Sequence, residues 1–287
     1  MLLVIAFLPV NSALKLTERE NEMRRETCGK GLSLENGYGR KVLNGKKAKI
    51  KTAPWNVAIE ILGNENGLCT GTLISKRHVL TARHCFAYLT DKGYVWNTNN
   101  QLIFGCQNDQ TDIVIDGNFS DTFKIHAGTD CGYRKNCALM SNKTIGISKL
   151  ILPKVCDDKQ LEFDDFAILE LNENLEFSKA VQFVCIVFDD NNLFIEDNRM
   201  KLFGFGVNPR DGNNSAGQLR YETVKAEKCF KTTKKAFCTR SLSKNQLACM
   251  GDSGGGVVQM IDERVTVVGV IYQGILKQFF SKKIIIF

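Results

Sequence analysis

Eleven cysteines in 287 residues, none of them in a C-x-x-C pair, constrain this chain more than any other feature. Metal-binding cysteines come as close pairs beside histidines, and only His78, His84 and His126 are present. No metal site is expected, and nothing in the sequence indicates a cofactor. Paired as disulfides, the cysteines point to an oxidising compartment. The N-terminus agrees: Leu2 to Val10 is a short apolar run followed by small residues at Ser12 and Ala13. It reads as a signal peptide over residues 1–13, although no Lys or Arg precedes it. The run is too short to span a bilayer, and no later spanning segment is evident. Sequons at Asn118, Asn142 and Asn213 fit a secreted glycoprotein.

With 44% hydrophobic residues the chain has material for one large core or two packed halves. Glycine is frequent (24) and proline scarce (4), which favours turn-rich β architecture. The net charge of +7 raises the question of nucleic acid. The lysines are scattered, apart from Lys46, Lys47, Lys49 and Lys51, with no aromatic interleaving, so they read as a solvated surface.

Residues 14–41 are polar, charged and of helical flavour, and read as a propeptide or linker. From Val42 onward come short β-branched or alternating runs bounded by Gly, Asn or Asp. They are Trp55–Leu62, Cys69–Ile74, His78–Ala82, Phe166–Leu171, Lys201–Phe205, Leu219–Val224, Gly256–Ile261 and Val265–Tyr272. The stretch from Phe86 to Gln160 reads as surface loops mixed with strands. Residues 275–287 are basic and then bluntly apolar, without the period of a surface helix.

Three segments carry chemistry. Gly251-Asp252-Ser253-Gly254-Gly255 sets a serine among glycines, whose backbone turns tightly and aims N–H groups at a carbonyl oxygen. A serine hydroxyl needs a base to become a nucleophile. Thr81-Ala82-Arg83-His84-Cys85 offers one, with His84 just after a strand-like run and beside a cysteine that can pin it. Asp164-Asp165-Phe166-Ala167-Ile168-Leu169 opens a strand-like run with an acid that can orient an imidazole; either aspartate fits that role.

The chain order His, Asp, Ser is that of the chymotrypsin group. From about Val42 to Gly274 the chain resembles the chymotrypsin/trypsin-like (S1) serine peptidases. Leu16-Thr17-Glu18-Arg19-Glu20-Asn21 leading to Cys28-Gly29-Lys30 is similar to a nematode branch of secreted trypsin-like proteins. The resemblance implies an all-β fold of two antiparallel barrels with the active site in the cleft between them. It implies a serine endopeptidase in which Ser253 attacks, His84 is base and then acid, and Asp165 holds His84. Asp165 is preferred to Asp164 because D-F-A-I-L matches the family's D-I-A-L-L. The N–H groups of Gly251 and Ser253 would form the oxyanion hole.

The resemblance further implies a zymogen. Arg40-Lys41-Val42-Leu43-Asn44-Gly45 is similar to the family's activation site, with a cut after Lys41 and the new Val42 amine paired with Asp252. The peptidase domain would then run over residues 42–274. Implied disulfides are Cys69–Cys85 beside the histidine and Cys28–Cys185 tethering the prosegment. Cys229–Cys238 is a further pair; Cys131–Cys137 would close a small loop and leave Cys106 with Cys156, a connectivity that sequence does not fix, with Cys249 as the odd one out. Leu247, six residues before Ser253, stands where trypsins carry a pocket aspartate, so apolar or aromatic side chains are the expected preference. Gly274 would lie on the pocket wall. Implied partners are protein or peptide substrates, an activating peptidase and protein inhibitors.

Beyond Gly274 the resemblance lapses. Residues 275–287 stand in place of a pocket loop, a strand and a C-terminal helix, so the final strand and helix are expected to be missing. A catalytically impaired, peptidase-like secreted binding protein is therefore the alternative expectation. The G-x-S-x-G spacing also permits an esterase, but the triad order and the lack of alternating long helices argue against it.

Overall fold

Every strand-like run named above forms a strand in the computed structural model, at Asn56–Ile61, Leu68–Leu73, His78–Thr81, Ala167–Leu171, Arg199–Gly204, Arg220–Glu227, Gly256–Ile261 and Arg264–Gly274. The structure describes residues 16–34, 46–63, 67–90, 92–105, 113–132, 144–153, 165–187, 198–208, 216–227, 236–242, 248–274 and 282–285. The long loop-bearing stretch supplies further strands, among them Phe123–Ala127 and Ile147–Leu152.

One sheet runs in the order Ile147–Leu152, Ala167–Leu171, His78–Thr81, Leu68–Leu73, Asn56–Ile61 and Phe123–Ala127, all antiparallel. It curls back on itself, because Ile125 and Ile145 exchange backbone hydrogen bonds of 3.0 Å. A second sheet runs Arg220–Glu227, Arg199–Gly204, Gly256–Ile261, Arg264–Gly274, Lys282–Ile285 and Ala236–Ser241. Its last strand pairs again with Arg220–Glu227 and closes the ring. Two antiparallel β-barrels of the chymotrypsin type result.

The tail takes part in that closure. Ile284 is in register with Phe237 on one side and Ile271 on the other, so the strand is paired along both edges. The final strand, expected to be missing, is thus present: Lys282–Ile285 pair with a strand on either side, because the tail's backbone can take up the open sheet edge whatever its sequence.

The barrels share a core. Trp55, fully buried at the start of the first barrel, meets Phe203 of the second edge-to-face at 5.4 Å. The N-terminal segment is docked rather than loose. Helix Glu18–Thr27 starts in a capping box, in which the Glu20 N–H donates to Thr17 Oγ1 at 3.2 Å and the Thr17 N–H to Glu20 Oε2 at 2.9 Å. Just beyond the helix, Cys28 is bridged to Cys185, and the Gly29 N–H donates to the Phe183 carbonyl at 3.0 Å.

Candidate active site

His84 sits on a single 3-10 turn, Arg83–Cys85, reached directly from the strand His78–Thr81. The Cys69–Cys85 disulfide ties that turn to the neighbouring strand. Thr81 is in register with Ala167, so Asp165, two residues earlier, arrives beside the turn. Sequence order and strand register together bring a histidine and an acid into contact.

Asp165 is fully buried. Its Oδ1 accepts the His84 backbone N–H at 2.8 Å, and its Oδ2 lies 2.5 Å from His84 Nδ1. A carboxylate only accepts, so Nδ1 carries the proton and Nε2 of the neutral ring is left as a base. The Arg83 guanidinium also reaches Asp165, with Nη2 3.5 Å from Oδ1. The imidazole is about a third exposed (36%), open enough to meet a substrate, and Tyr272 stands edge-on to it at 6.2 Å.

Thr70 joins the serine loop to this pair. Its N–H donates to the Ser253 carbonyl at 2.8 Å and its hydroxyl to the Gly251 carbonyl at 2.8 Å. Its own carbonyl accepts the Thr81 hydroxyl at 2.9 Å, at the end of the strand three residues before His84. The approach requires Gly254: its φ is +84°, and a Cβ there would lie 2.2 Å from Thr81 Oγ1 and 2.8 Å from the Ala82 nitrogen. Among the described residues, the N–H groups of Gly251 and Ser253 donate to no acceptor, and no hydrogen bond links the Ser253 hydroxyl to His84. Two unspent donors beside a serine form a place where an oxyanion can be held.

Asp252 accepts the N–H of Gly206 on Oδ1 and that of Cys249 on Oδ2, both at 2.8 Å. Gly274 ends the strand Arg264–Gly274. Lys41, Val42, Asp164 and Leu247 lie outside the described residues, as do the signal peptide and the sequons Asn142 and Asn213. Asn118 is exposed. Besides the two bridges above, Cys131 and Cys238 are disulfide-bonded, and Cys249 is a free thiol. Their expected partners Cys137 and Cys229, and both members of Cys106–Cys156, lie outside the described residues. Among the described residues no cluster of His, Cys, Asp and Glu is placed to hold a metal ion, and no helix is long and apolar enough to cross a membrane.

Sequence reasoning did not find Thr70, Arg83 or Tyr272. Thr70 has no sequence signal at all. Arg83 had one: a charge immediately before the histidine, on a turn whose neighbours are apolar.

Comparison with known proteins settles the relationship. A model of the nematode trypsin-6-like family matches residues 1–280. The chain belongs to that family. Its relatives include the serine protease grass of Drosophila melanogaster, 25% identical over 87% of this chain and 63% of that protein. Phenoloxidase-activating factor 1 of Holotrichia diomphalia is 25% identical over 87% of this chain and 66% of its own length. Trypsin-like protease try-5 of Caenorhabditis elegans is 25% identical over 71% and 68%, respectively. The nematode trypsin-6-like chain thus spans slightly under two thirds of the first two relatives, the first of which is a serine protease by name.

Proposed function

We propose that this protein is a secreted serine endopeptidase, made as a zymogen and cut after Lys41. Ser253 Oγ bonds to the scissile carbonyl carbon while His84 Nε2 takes its proton. The same nitrogen then protonates the leaving amine, and water attacks the acyl-enzyme by the reverse route. The Gly251 and Ser253 N–H groups receive the oxyanion. Leu247 gives the pocket an apolar base, so apolar or aromatic side chains are preferred. Asp252 receives the Val42 amine after cleavage. The partners are protein substrates, an activating peptidase and protein inhibitors.

The observation that carries this reading is the buried Asp165 carboxylate taking both the backbone N–H and Nδ1 of His84. A merely solvated acid at a turn would have no reason to make that pair. The test is to cut the purified protein after Lys41 and add a fluorophosphonate probe, beside a Ser253→Ala control. Labelling that vanishes in the control supports the reading. Folded, processed protein that takes no label refutes it.

A second reading is a binding protein that keeps the peptidase scaffold, because a fold does not by itself fix a function. It predicts full biological function after Ser253→Ala.

A further inference from the structure

Arg83 is a buried cation that takes no part in the proton transfers between Ser253 and His84. Only 7% of it is exposed. Its Nη1 donates to the Ala87 carbonyl at 3.3 Å, and its guanidinium lies 5.6 Å from the centre of the Tyr94 ring. That ring is itself fixed, since the Tyr94 hydroxyl donates to the Pro153 carbonyl at 2.9 Å. Among the described residues, the charged or titratable groups that face the guanidinium and the imidazole beside it are Asp165, Tyr94 and Tyr272. A guanidinium is costly to bury, and anchoring an aliphatic stem needs no charge at its end.

We propose that Arg83 is a positioning residue for His84: it fixes the orientation of the Asp165 carboxylate and shares that carboxylate's negative charge with the imidazole. The inference rests on the peptidase reading. The geometry gives it two parts. Oδ1 accepts the His84 N–H and lies 3.5 Å from the Arg83 Nη2, so Oδ2 faces Nδ1 and a rotation of the carboxylate gives up both that hydrogen bond and the ion pair. The Arg83 charge also opposes the field of Asp165 at His84. Where it is absent, the imidazolium is held by the whole carboxylate charge and gives up its proton at higher pH.

The experiment compares Arg83→Gln and Arg83→Lys with the unsubstituted full-length protein, each cut after Lys41. Two quantities are followed against pH: the rate of fluorophosphonate labelling, and the ring-proton NMR signals of His84, assigned with His84→Gln. In Arg83→Gln both midpoints move up by about one pH unit. In Arg83→Lys, which keeps the charge but not the fork, the midpoints stay in place and the labelling rate falls about tenfold. A folded Arg83→Gln protein with unmoved midpoints overturns the proposal. If that variant does not fold, Arg83→Lys decides: an unchanged labelling rate overturns the positioning role. If the unsubstituted protein takes no label, the peptidase reading fails, and the NMR midpoints still test the effect of Arg83 on His84.

Discussion

Gly206 donates its N–H to Oδ1 of Asp252 at 2.8 Å, and a Cβ on Gly206 would lie 2.6 Å from that same oxygen. The backbone comes this close because the residue has no side chain. Gly204, on the other side, would bring a Cβ to 2.1 Å of the same atom. Gly206→Ala is expected to push Asp252 out of its seat and carry the Gly251–Gly255 loop with it. Stability should fall by about 1–3 kcal/mol in a denaturant titration. Fluorophosphonate labelling should drop by about tenfold or more.

Asp165→Asn replaces an acceptor-only group with one that can turn an NH2 towards Nδ1. The ring then favours the wrong tautomer. The labelling rate is expected to fall by roughly 10³–10⁴-fold. The substitution also leaves the Arg83 guanidinium buried without its carboxylate, so thermal unfolding should show a loss of about 3 kcal/mol or more.

The N-terminal helix is held covalently and by weaker contacts. Cys28–Cys185 closes a span of 157 residues, Arg264 Nη1 donates to the Arg25 carbonyl at 2.6 Å, and Arg77 Nη1 lies 3.1 Å from Glu20 Oε1. The ion pair is partly exposed and contributes less than about 1 kcal/mol. After a cut following Lys41, gels should show one band without reductant and two with it. The double variant Cys28→Ser, Cys185→Ser should release the segment on cutting, and before cutting should be less stable by about 3–5 kcal/mol.

His78 is buried, and Ser75 Oγ lies 2.8 Å from its Nδ1. The same oxygen accepts the N–H groups of Arg77 and His78, so its hydroxyl proton is free for an unprotonated Nδ1. Burial first, and then the charge of Arg77, lowers the His78 pKa from 6.5 to about 4. Between those values the unfolded chain binds more protons than the folded one. The folded state therefore loses stability as pH falls through that window, by up to about 3 kcal/mol near pH 4. Urea midpoints measured across the window should show the slope, and His78→Gln should flatten it.

Much of the candidate site was legible because its parts are local. Gly251–Gly255 and the histidine turn each need a particular backbone conformation, and such needs leave marks in neighbouring residues. The Cys28–Cys185 and Cys69–Cys85 pairs were expected through the family resemblance and are found, and Cys249, with no cysteine after it in the chain, is a free thiol. Strands such as Phe123–Ala127 and Ile147–Leu152 were less visible, lying among polar loop residues that blur the period of two.

The sequence by itself determined the short-strand β pattern, the cysteine-rich character and the His, Asp, Ser order, since each is written in residue type and spacing. Only the tertiary structure decided what joins them. Thr70 bonds the serine loop to the strand beside His84, Arg83 turns inward to Asp165, and the tail strand Lys282–Ile285 closes the second barrel. These are contacts between segments far apart in the chain. Their partners are set by strand register and barrel closure, which no local pattern encodes.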